Sequence, residues 1–167
     1  MFETTLIELL HGKGAHADPI ACIEDLSADQ ASRKIETFPH SIYQLVNHMN
    51  YWMDFELHRI AGAPQPYPEH AAASWLPNAG PQSESDWLQA TMQFRDRIAR
   101  FTDLANSGAQ SLSREIPPAH PQQSQHCSTA GAILWQIVAH NSYHAGQIAT
   151  LRRILSLWPP KAGGDSW

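Results

Sequence analysis

Two histidines four residues apart, in the segment AHNSYHAGQI, are the strongest candidates for chemistry in this chain of 167 residues. Side chains at positions i and i+4 lie on one face of an α-helix, so the imidazoles of His140 and His144 would be close enough to share a metal ion. The spacing alone is weak evidence, because a chain with ten histidines is expected to contain such a pair about 0.6 times by chance.

The apolar surroundings of this pair are more informative than its spacing. Apolar residues recur at helical spacing on both sides of it, with Ile133 and Ile137 before it and Ile148 and Leu151 after it. Both imidazoles therefore face the interior, where an unpaired polar group costs about 1–3 kcal/mol. A metal ion would compensate this cost, and hydrogen bonds to neighbouring helices are the alternative.

A third ligand is expected from another helix, and His48 in the segment LVNHMNYWMDF is the best candidate. In helical projection it lies between Trp52 and Phe55, on the flank of an apolar arc, so it can point inward. His58, near the end of the same helix, is expected to face solvent. A metalloprotease motif is excluded, because Asn141 stands where H-E-x-x-H requires glutamate.

The other histidines lie in or near breaks and loops, where solvated or capping roles are expected. They are His11, His16, His40, His70, His120 and His126. Of these, His16 together with Asp18 could still line the mouth of a site.

Four further residues are weaker candidates. Gln147 shares the inner face with His144 and is expected to bind a substrate, to orient a ligand or to make an interhelical hydrogen bond. Gly146 suggests a close approach of helices, because glycine within a helix costs about 1 kcal/mol relative to alanine. Trp75 could cover a pocket. Cys127, beside His126, is expected to be an inert thiol, because no third group orients the pair as a nucleophile requires.

Apolar residues at the 3.6-residue period predict four long helical segments. They span about 2–26, 41–61, 84–105 and 129–158. Gly12, Gly14 and the pair Asp18 and Pro19 interrupt the first segment. Either Pro19 kinks one helix there, or Asp18 caps a second helix that carries the proline in its first turn.

Local signals mark several helix boundaries. Capping boxes are predicted at Ser27 with Gln30 and at Ser41 with Gln44, and a helix N-cap at Thr129. Pro159 and Pro160 are expected to stop the last helix.

Two long connections separate these helices. Residues 62–82 are rich in proline and could extend over about 60 Å, so this connection is expected to be a crossover, a lid or both. A second connection spans 106–128. No segment shows strand alternation, so the chain is predicted to be an all-α four-helix bundle in a single domain, residues 1–167.

Composition excludes several classes of function. Eleven basic against sixteen acidic residues give a net charge of −5, which disfavours nucleic acid as a partner. No apolar run approaches the roughly 20 residues of a membrane span, and the N-terminus lacks the basic start of a signal peptide. With only two cysteines, a disulfide scaffold is excluded, and a cytoplasmic location is expected.

With His48 on the second helix and the run HNSYHAGQ from His140 to Gln147 on the fourth, the chain resembles the DinB-like (YfiT-like) family of metal-dependent four-helix bundles. The segments PHSIYQLVNH and YPEHAAASW are also similar, and the resemblance covers essentially the whole chain. It implies an up-down-down-up bundle with a long crossover between helices two and three, a divalent metal bound by His48, His140 and His144, and a homodimer. Some members catalyse reactions that depend on a low-molecular-weight thiol.

Three ligands leave coordination positions open, as in catalytic metal sites. Zinc suits imidazole ligands, and nickel or iron is chemically possible. The expected function is therefore that of a metal-dependent enzyme, such as a small-thiol S-transferase acting on a small molecule held under the 62–82 or 106–128 connection. The alternatives are a metal-dependent hydrolase and a non-enzymatic, stress-related bundle that binds metal or ligand. No side chain stands out as a general base.

Overall fold

The computed structural model describes residues 2–119 and 128–164. Its α-helices are α1 (Phe2–Leu10), α2 (Ala21–Glu24), α3 (Ala28–Ser32), α4 (Ile42–Ile60), α5 (Glu84–Asn106), α6 (Ala109–Leu112) and α7 (Ala130–Ile154). A 3₁₀ helix spans Ala71–Ser74, and strand β1 (Glu115–Ile116) pairs antiparallel with β2 (Ser128–Thr129). The described chain is thus mostly helical, as the sequence predicts.

The first predicted segment is two helices, α1 and α2, rather than one kinked helix. Gly12 and Gly14 both have φ of +71°, the left-handed region that ends a helix and that glycine adopts without strain. After them, the carboxylate of Asp18 accepts a hydrogen bond of 2.8 Å from the amide of Ile20. Asp18 therefore orders the turn that leads into α2.

The predicted caps are present. Both hydrogen bonds of a capping box form at Ser27 with Gln30 before α3, and at Ser41 with Gln44 before α4. The side chain of Thr129 accepts from the amide of Ala132 at the start of α7. These local signals place the helix starts as predicted, because each cap satisfies backbone amides that have no partner within the helix.

The end of α7 was predicted wrongly. The helix stops at Ile154, four residues before the predicted end, and Ser156 follows with φ of +59°. The cause is Arg152, whose Nε and Nη2 donate to the carbonyl of Leu157 at 3.0 and 2.7 Å. Apolar periodicity continues through Trp158, but the backbone has already left the helix.

Four of the helices surround one apolar core. α4 packs against α5 and α7, and α1 packs against the same two helices. Contacts between α4 and α5 advance along both helices in the same direction: Tyr43 with Trp87, Asn50 with Ala90, and Asp54 with Arg97. These two helices are therefore parallel.

α7 runs opposite to α4. The amide of Ala130, at the start of α7, donates to the carbonyl of Arg114, and the Arg114 guanidinium donates to the carbonyl of Ile60 at the end of α4. Farther along α7, His140 contacts His48 near the start of α4. The direction of α1, and with it the full up-down-down-up order, stays a prediction.

The crossover between α4 and α5 lies along α4. Gln44 Nε2 donates to the carbonyl of Leu76 at 2.7 Å, and the hydroxyl of Ser41 donates to the carbonyl of Ala79. The chain thus returns from the end of α4 to its beginning before α5 starts. Among the described helices, none has the length and hydropathy needed to cross a membrane.

The two-residue strands are a departure from the all-α prediction. They join the ends of the connection between α6 and α7, with Glu115 opposite Thr129 and Ile116 opposite Ser128. A strand of two residues is too short to show alternation in a sequence, so this pairing could not be predicted from periodicity.

A buried ion pair fixes the return of the chain after α7. The guanidinium of Arg152 donates to the carbonyl of Cys22 at 2.8 Å and to the carboxylate of Asp25 at 2.6 Å. Burial opposes ionisation of Asp25, but the hydrogen bonds from Arg152 and from the amide of Lys161 lower the pKa of this carboxyl. The pair therefore joins the end of α7 to the α2–α3 region.

We expect Asp25→Ala to lower the free energy of unfolding by about 3 kcal/mol, because it leaves the Arg152 charge buried without a counter-ion. The matched control is Asp29→Ala, which breaks the exposed pair of Asp29 with Arg33 and should cost less than about 0.5 kcal/mol. Urea unfolding of both variants measures the difference. Equal losses would contradict the role assigned to Arg152.

Candidate metal centre

The structure brings His48, His140 and His144 together where α4 and α7 pack. His48 and His144 are 7% and 5% exposed, and His140 is half-buried. The ring centroids are 4.5 to 5.1 Å apart, and one ligand atom from each residue lies within 4.8 Å of the others. Among the described residues, no further histidine, cysteine or acidic residue belongs to this group.

The spacing of the nitrogens fits a shared metal ion. Nε2 of His48 and Nε2 of His140 are 3.2 Å apart. Two nitrogens that each lie about 2.1 Å from one ion are about 3.0 Å apart at a right angle and about 3.4 Å apart at a tetrahedral angle. The observed distance lies between these values, so His48 and His140 are placed to bind one ion together, and the ligand atom of His144 lies within 4.8 Å of both.

Ser74 fixes the tautomer of His48. The Ser74 hydroxyl lies 2.9 Å from Nδ1 of His48 and 2.6 Å from the carbonyl of Ala71. A hydroxyl has one proton, and the Ala71 carbonyl can only accept it. Ser74 must therefore accept from Nδ1–H of His48, which leaves the Nε2 lone pair of His48 free to bind a metal.

Gln147 fixes the tautomer of His144 in the same way. Its Oε1 lies 2.7 Å from Nδ1 of His144, and its Nε2 donates to the hydroxyl of Tyr143 at 3.2 Å. An amide oxygen only accepts, so His144 carries its proton on Nδ1 and presents an unprotonated Nε2. Of the roles predicted for Gln147, the structure supports the orientation of a ligand, because both hydrogen bonds lie within α7 and neither joins two helices.

His140 completes the group with a different environment. Its Nδ1 is buried and has no hydrogen-bond partner among the residues that the structure describes. A buried polar atom without a partner is costly, so its retention next to two oriented imidazoles needs a reason. The other nitrogen, Nε2, lies 3.2 Å from Nε2 of His48, and binding of a metal there would compensate the cost, although it gives Nδ1 no partner.

All three imidazoles are held in the neutral form. Burial, with the two neighbouring imidazoles, lowers the pKa of His48 to about 3. Burial lowers the pKa of His144 to about 4 and also lowers that of His140. Neutral imidazole is the form that binds a metal, so the group is ready for one at neutral pH.

Trp75, at the end of the crossover, covers the group. Its ring stacks on His48 with centroids 3.7 Å apart and planes 5° apart, and on its other side it stacks on His40 at 3.6 Å and 4°. Trp75 thus lies over the histidines but is not among the residues that line the cavity beside His140, so its role as the cover of a pocket stays a prediction. The expected solvated or capping role of His40 is wrong, because the ring is half-buried in this stack.

A cavity of about 270 Å³ opens beside His140. Its lining includes Trp52, Glu56, Arg59, Tyr67, Gln136 and His140. Glu56 and Arg59 form a buried ion pair, with Nη1 of Arg59 3.2 and 3.0 Å from the two carboxylate oxygens. Sequence reasoning missed this pair, although both residues follow His48 at helical spacing.

The other candidate residues lie elsewhere or differ from expectation. Nε2 of His16 lies 2.8 Å from the hydroxyl of Ser142, which is two residues from His140 and His144 and so on the other face of α7. His16 and Asp18 are thus not part of the group. His58 is only partly exposed and contacts the carbonyl of Asp54.

The structure also bears on Gly146 and on the cysteines. Nothing lies within 4 Å of a Cβ built on Gly146, so the predicted close approach of helices there is wrong. Cys22 is buried, and burial raises the pKa of its thiol to about 11, which makes it unreactive. Cys127, His120 and His126 lie outside the described residues.

A sequence profile of the DinB family matches residues 1–162. Because the match covers almost the whole chain, this protein belongs to the DinB family. No curated protein and no solved structure matches the chain.

The lowered pKa values predict how the stability of the metal-free protein depends on pH. The unfolded chain takes up protons on these imidazoles below about pH 6.5, while the folded chain keeps them neutral. Stability is therefore fully present above pH 6.5 and is lost as pH falls. From pH 6.5 to 5.5 each of His48 and His144 should contribute a loss of about 1 kcal/mol.

Urea unfolding at both pH values, with chelator present, measures this loss. His144→Gln should lose about 1 kcal/mol less than the wild type over the same interval. His70→Gln is the control, because the His70 side chain is 79% exposed, and it should keep the wild-type dependence. An unchanged dependence in His144→Gln would show that this imidazole is not held neutral. Because the pKa values of these imidazoles lie below the ordinary histidine value of about 6.5, protons should displace the metal only at a correspondingly lower pH.

Proposed function

We propose that this DinB-family protein binds a divalent metal ion, zinc or nickel, through Nε2 of His48, His140 and His144. The observation that carries the proposal is the pair of hydrogen bonds from Nδ1 of His48 and of His144. Both bonds leave an Nε2 lone pair in one buried group of three imidazoles. Neutral imidazoles suit either metal.

We propose further that the site is catalytic. Three protein ligands leave a coordination position for a substrate or water, whereas structural sites are closed by a fourth ligand. The cavity beside His140 gives a small molecule access to that position. A metal held in this way acts as a Lewis acid and lowers the pKa of a water or thiol that it binds.

The chain's own residues would hold and shield this centre. Ser74 and Gln147 orient two of the imidazoles and increase their basicity, as partners of metal-bound histidines do. Trp75 keeps bulk water from the face of His48 on which it stacks. We assign no general base.

The proposed reaction is transfer of a low-molecular-weight thiol to a small electrophile. The thiol's sulfur would form a bond to the electrophilic carbon, and its proton and the leaving group would be released. The choice of a thiol rests on resemblance to family members and is an analogy, whereas thiolate affinity for zinc and nickel is a physical argument. We also propose an up-down-down-up bundle, a homodimer and a cytoplasmic location.

Elemental analysis of protein purified without a nickel column should find about one zinc or nickel ion per chain. Gln147→Ala and Ser74→Ala should each lower the affinity for the metal 10- to 100-fold, because loss of an orienting partner has about this effect. His58→Ala, on α4 but outside the group, is the matched control and should bind as the wild type does. Competition with a chromophoric chelator measures the affinities, and an equal loss in all three variants would contradict the assignment.

Metal-loaded protein should accelerate the reaction of a small thiol with a chromogenic aryl halide. The assay offers glutathione, bacillithiol, mycothiol and cysteine in turn, and follows the absorbance of the thioether product. His144→Ala should abolish the acceleration, because it removes a metal ligand, whereas His58→Ala should preserve it. If His144→Ala and the wild type have equal rates with every thiol, thiol transfer is excluded, and metal-dependent ester or amide hydrolysis becomes the reaction to test.

A further inference from the structure

Four residues with polar or aromatic side chains lie along one face of α4. His48, Trp52, Glu56 and Arg59 are spaced by four, four and three residues, which keeps them on the same side of the helix. The rise of an α-helix places Arg59 about 16 Å along the axis from His48. The cavity lies along this line, because Trp52, Glu56, Arg59 and His140 all contribute to its lining.

Arg59 is held rigidly at the end of this line. It is 9% exposed, its Nε donates to the carbonyl of Pro117 at 2.9 Å, and its Nη1 donates to both oxygens of Glu56. Nη2 has no hydrogen-bond partner among the residues that the structure describes. A buried guanidinium in a fixed orientation, with the N–H donors of Nη2 not used by the described residues, can donate a charge-assisted hydrogen bond to a carboxylate in the cavity that Arg59 lines.

Glu56 has a second effect in this arrangement. Its carboxylate orients Nη1 of Arg59, but it also cancels part of the positive charge that an anionic ligand would meet. Burial raises the pKa of Glu56, and Arg59 opposes this shift. The remaining wall is aromatic, with the rings of Trp52 and Tyr67 5.9 Å apart. Such a wall favours a flat or apolar ligand body.

We infer that the cavity binds a small carboxylic acid, and that Nη2 of Arg59 donates to its carboxylate at the end of the cavity remote from the three histidines. Arg59 is then the residue that selects the substrate class, with Glu56 limiting its affinity for anions. Binding of the carboxylate by Arg59 does not depend on the proposed function. The inference rests on that function only in assigning the reactive end of the ligand, which would extend past Trp52 toward His140.

The test uses the full chain and two probes of equal shape, 3-phenylpropionate and the uncharged 3-phenylpropanamide, with binding measured by titration calorimetry at pH 7.5. The acid should bind about tenfold more tightly than the amide, since a hydrogen bond to a charged group has about this effect. Arg59→Met should remove the preference, and Arg59→Lys, which keeps the charge but loses the fixed orientation of the guanidinium, should retain part of it.

Glu56→Gln separates recognition from a merely structural role. It removes the competing negative charge and should strengthen acid binding several-fold, while amide binding stays unchanged. If the pair only stabilised the fold, neither variant would change the ratio of acid to amide affinity. Arg97→Met is the matched control, because Arg97 pairs with Asp54 elsewhere on α4, and it should keep the wild-type ratio.

The outcome is distinguishable from a failure of the proposed metal site. His144→Ala and chelated wild type should both retain the preference for the acid, because neither change touches Arg59. Loss of the preference in these two samples, with retention in Arg59→Met, would mean that the carboxylate binds the metal, and would overturn the inference. Equal binding of acid and amide by the wild type would also overturn it. If the wild type as purified holds no metal and binds none that is added, yet still prefers the acid, the proposed function is refuted and this inference stands.

Discussion

Burial of three neutral imidazoles between α4 and α7 is the constraint on which the rest of the structure depends. His48 needs an acceptor for Nδ1–H, and the one it has, Ser74, comes from the crossover rather than from a helix. The crossover must therefore lie along α4, and the hydrogen bonds of Ser41 and Gln44 to Ala79 and Leu76 hold it there. A chain that returns to the start of α4 in this way can only begin α5 parallel to α4. The site and the helix order are two results of the same connection.

The same region retains polar atoms without partners. Among the described residues, buried side-chain atoms lacking a hydrogen bond include Nδ1 of His140, Oδ1 of Asn141 and Oδ1 of Asn50. Each costs about 1–3 kcal/mol, and a core selected only for stability would replace these residues with apolar ones. A fourth such atom, Nε of Arg97, lies on α5, whereas His140 and Asn141 are adjacent on α7, so part of this cost falls at the histidine group.

The sequence could predict those features that depend on interactions between residues close together in the chain. Helix periodicity and capping boxes act within four residues, so α4, α5, the start of α7 and the inward direction of His140 and His144 were accessible. The contacts of Ser74 and His40 were not accessible, because Ser74 pairs with His48, 26 residues away, and His40 stacks on Trp75, 35 residues away, in both cases across connections without periodicity. The end of α7 was missed for a similar reason. The guanidinium of Arg152 donates to the carbonyl of Leu157, and a hydrogen bond from a side chain to the backbone leaves no trace in the pattern of apolar residues.

Once His48 is located as a metal ligand, helical spacing also indicates which other residues of α4 face the site, and Glu56 and Arg59 are the examples. A helix repeats its faces at three and four residues, so a ligand at His48 implies that positions 52, 56 and 59 point toward the same space. Two of them are charged in this chain, and both are buried. A charged pair on the inner face of a helix is unfavourable in an apolar core, and here it borders a cavity that reaches His140. The helix thus places a metal-binding histidine and a fixed cation on one face, and the cavity between Arg59 and His140 limits the size of any molecule that can contact both.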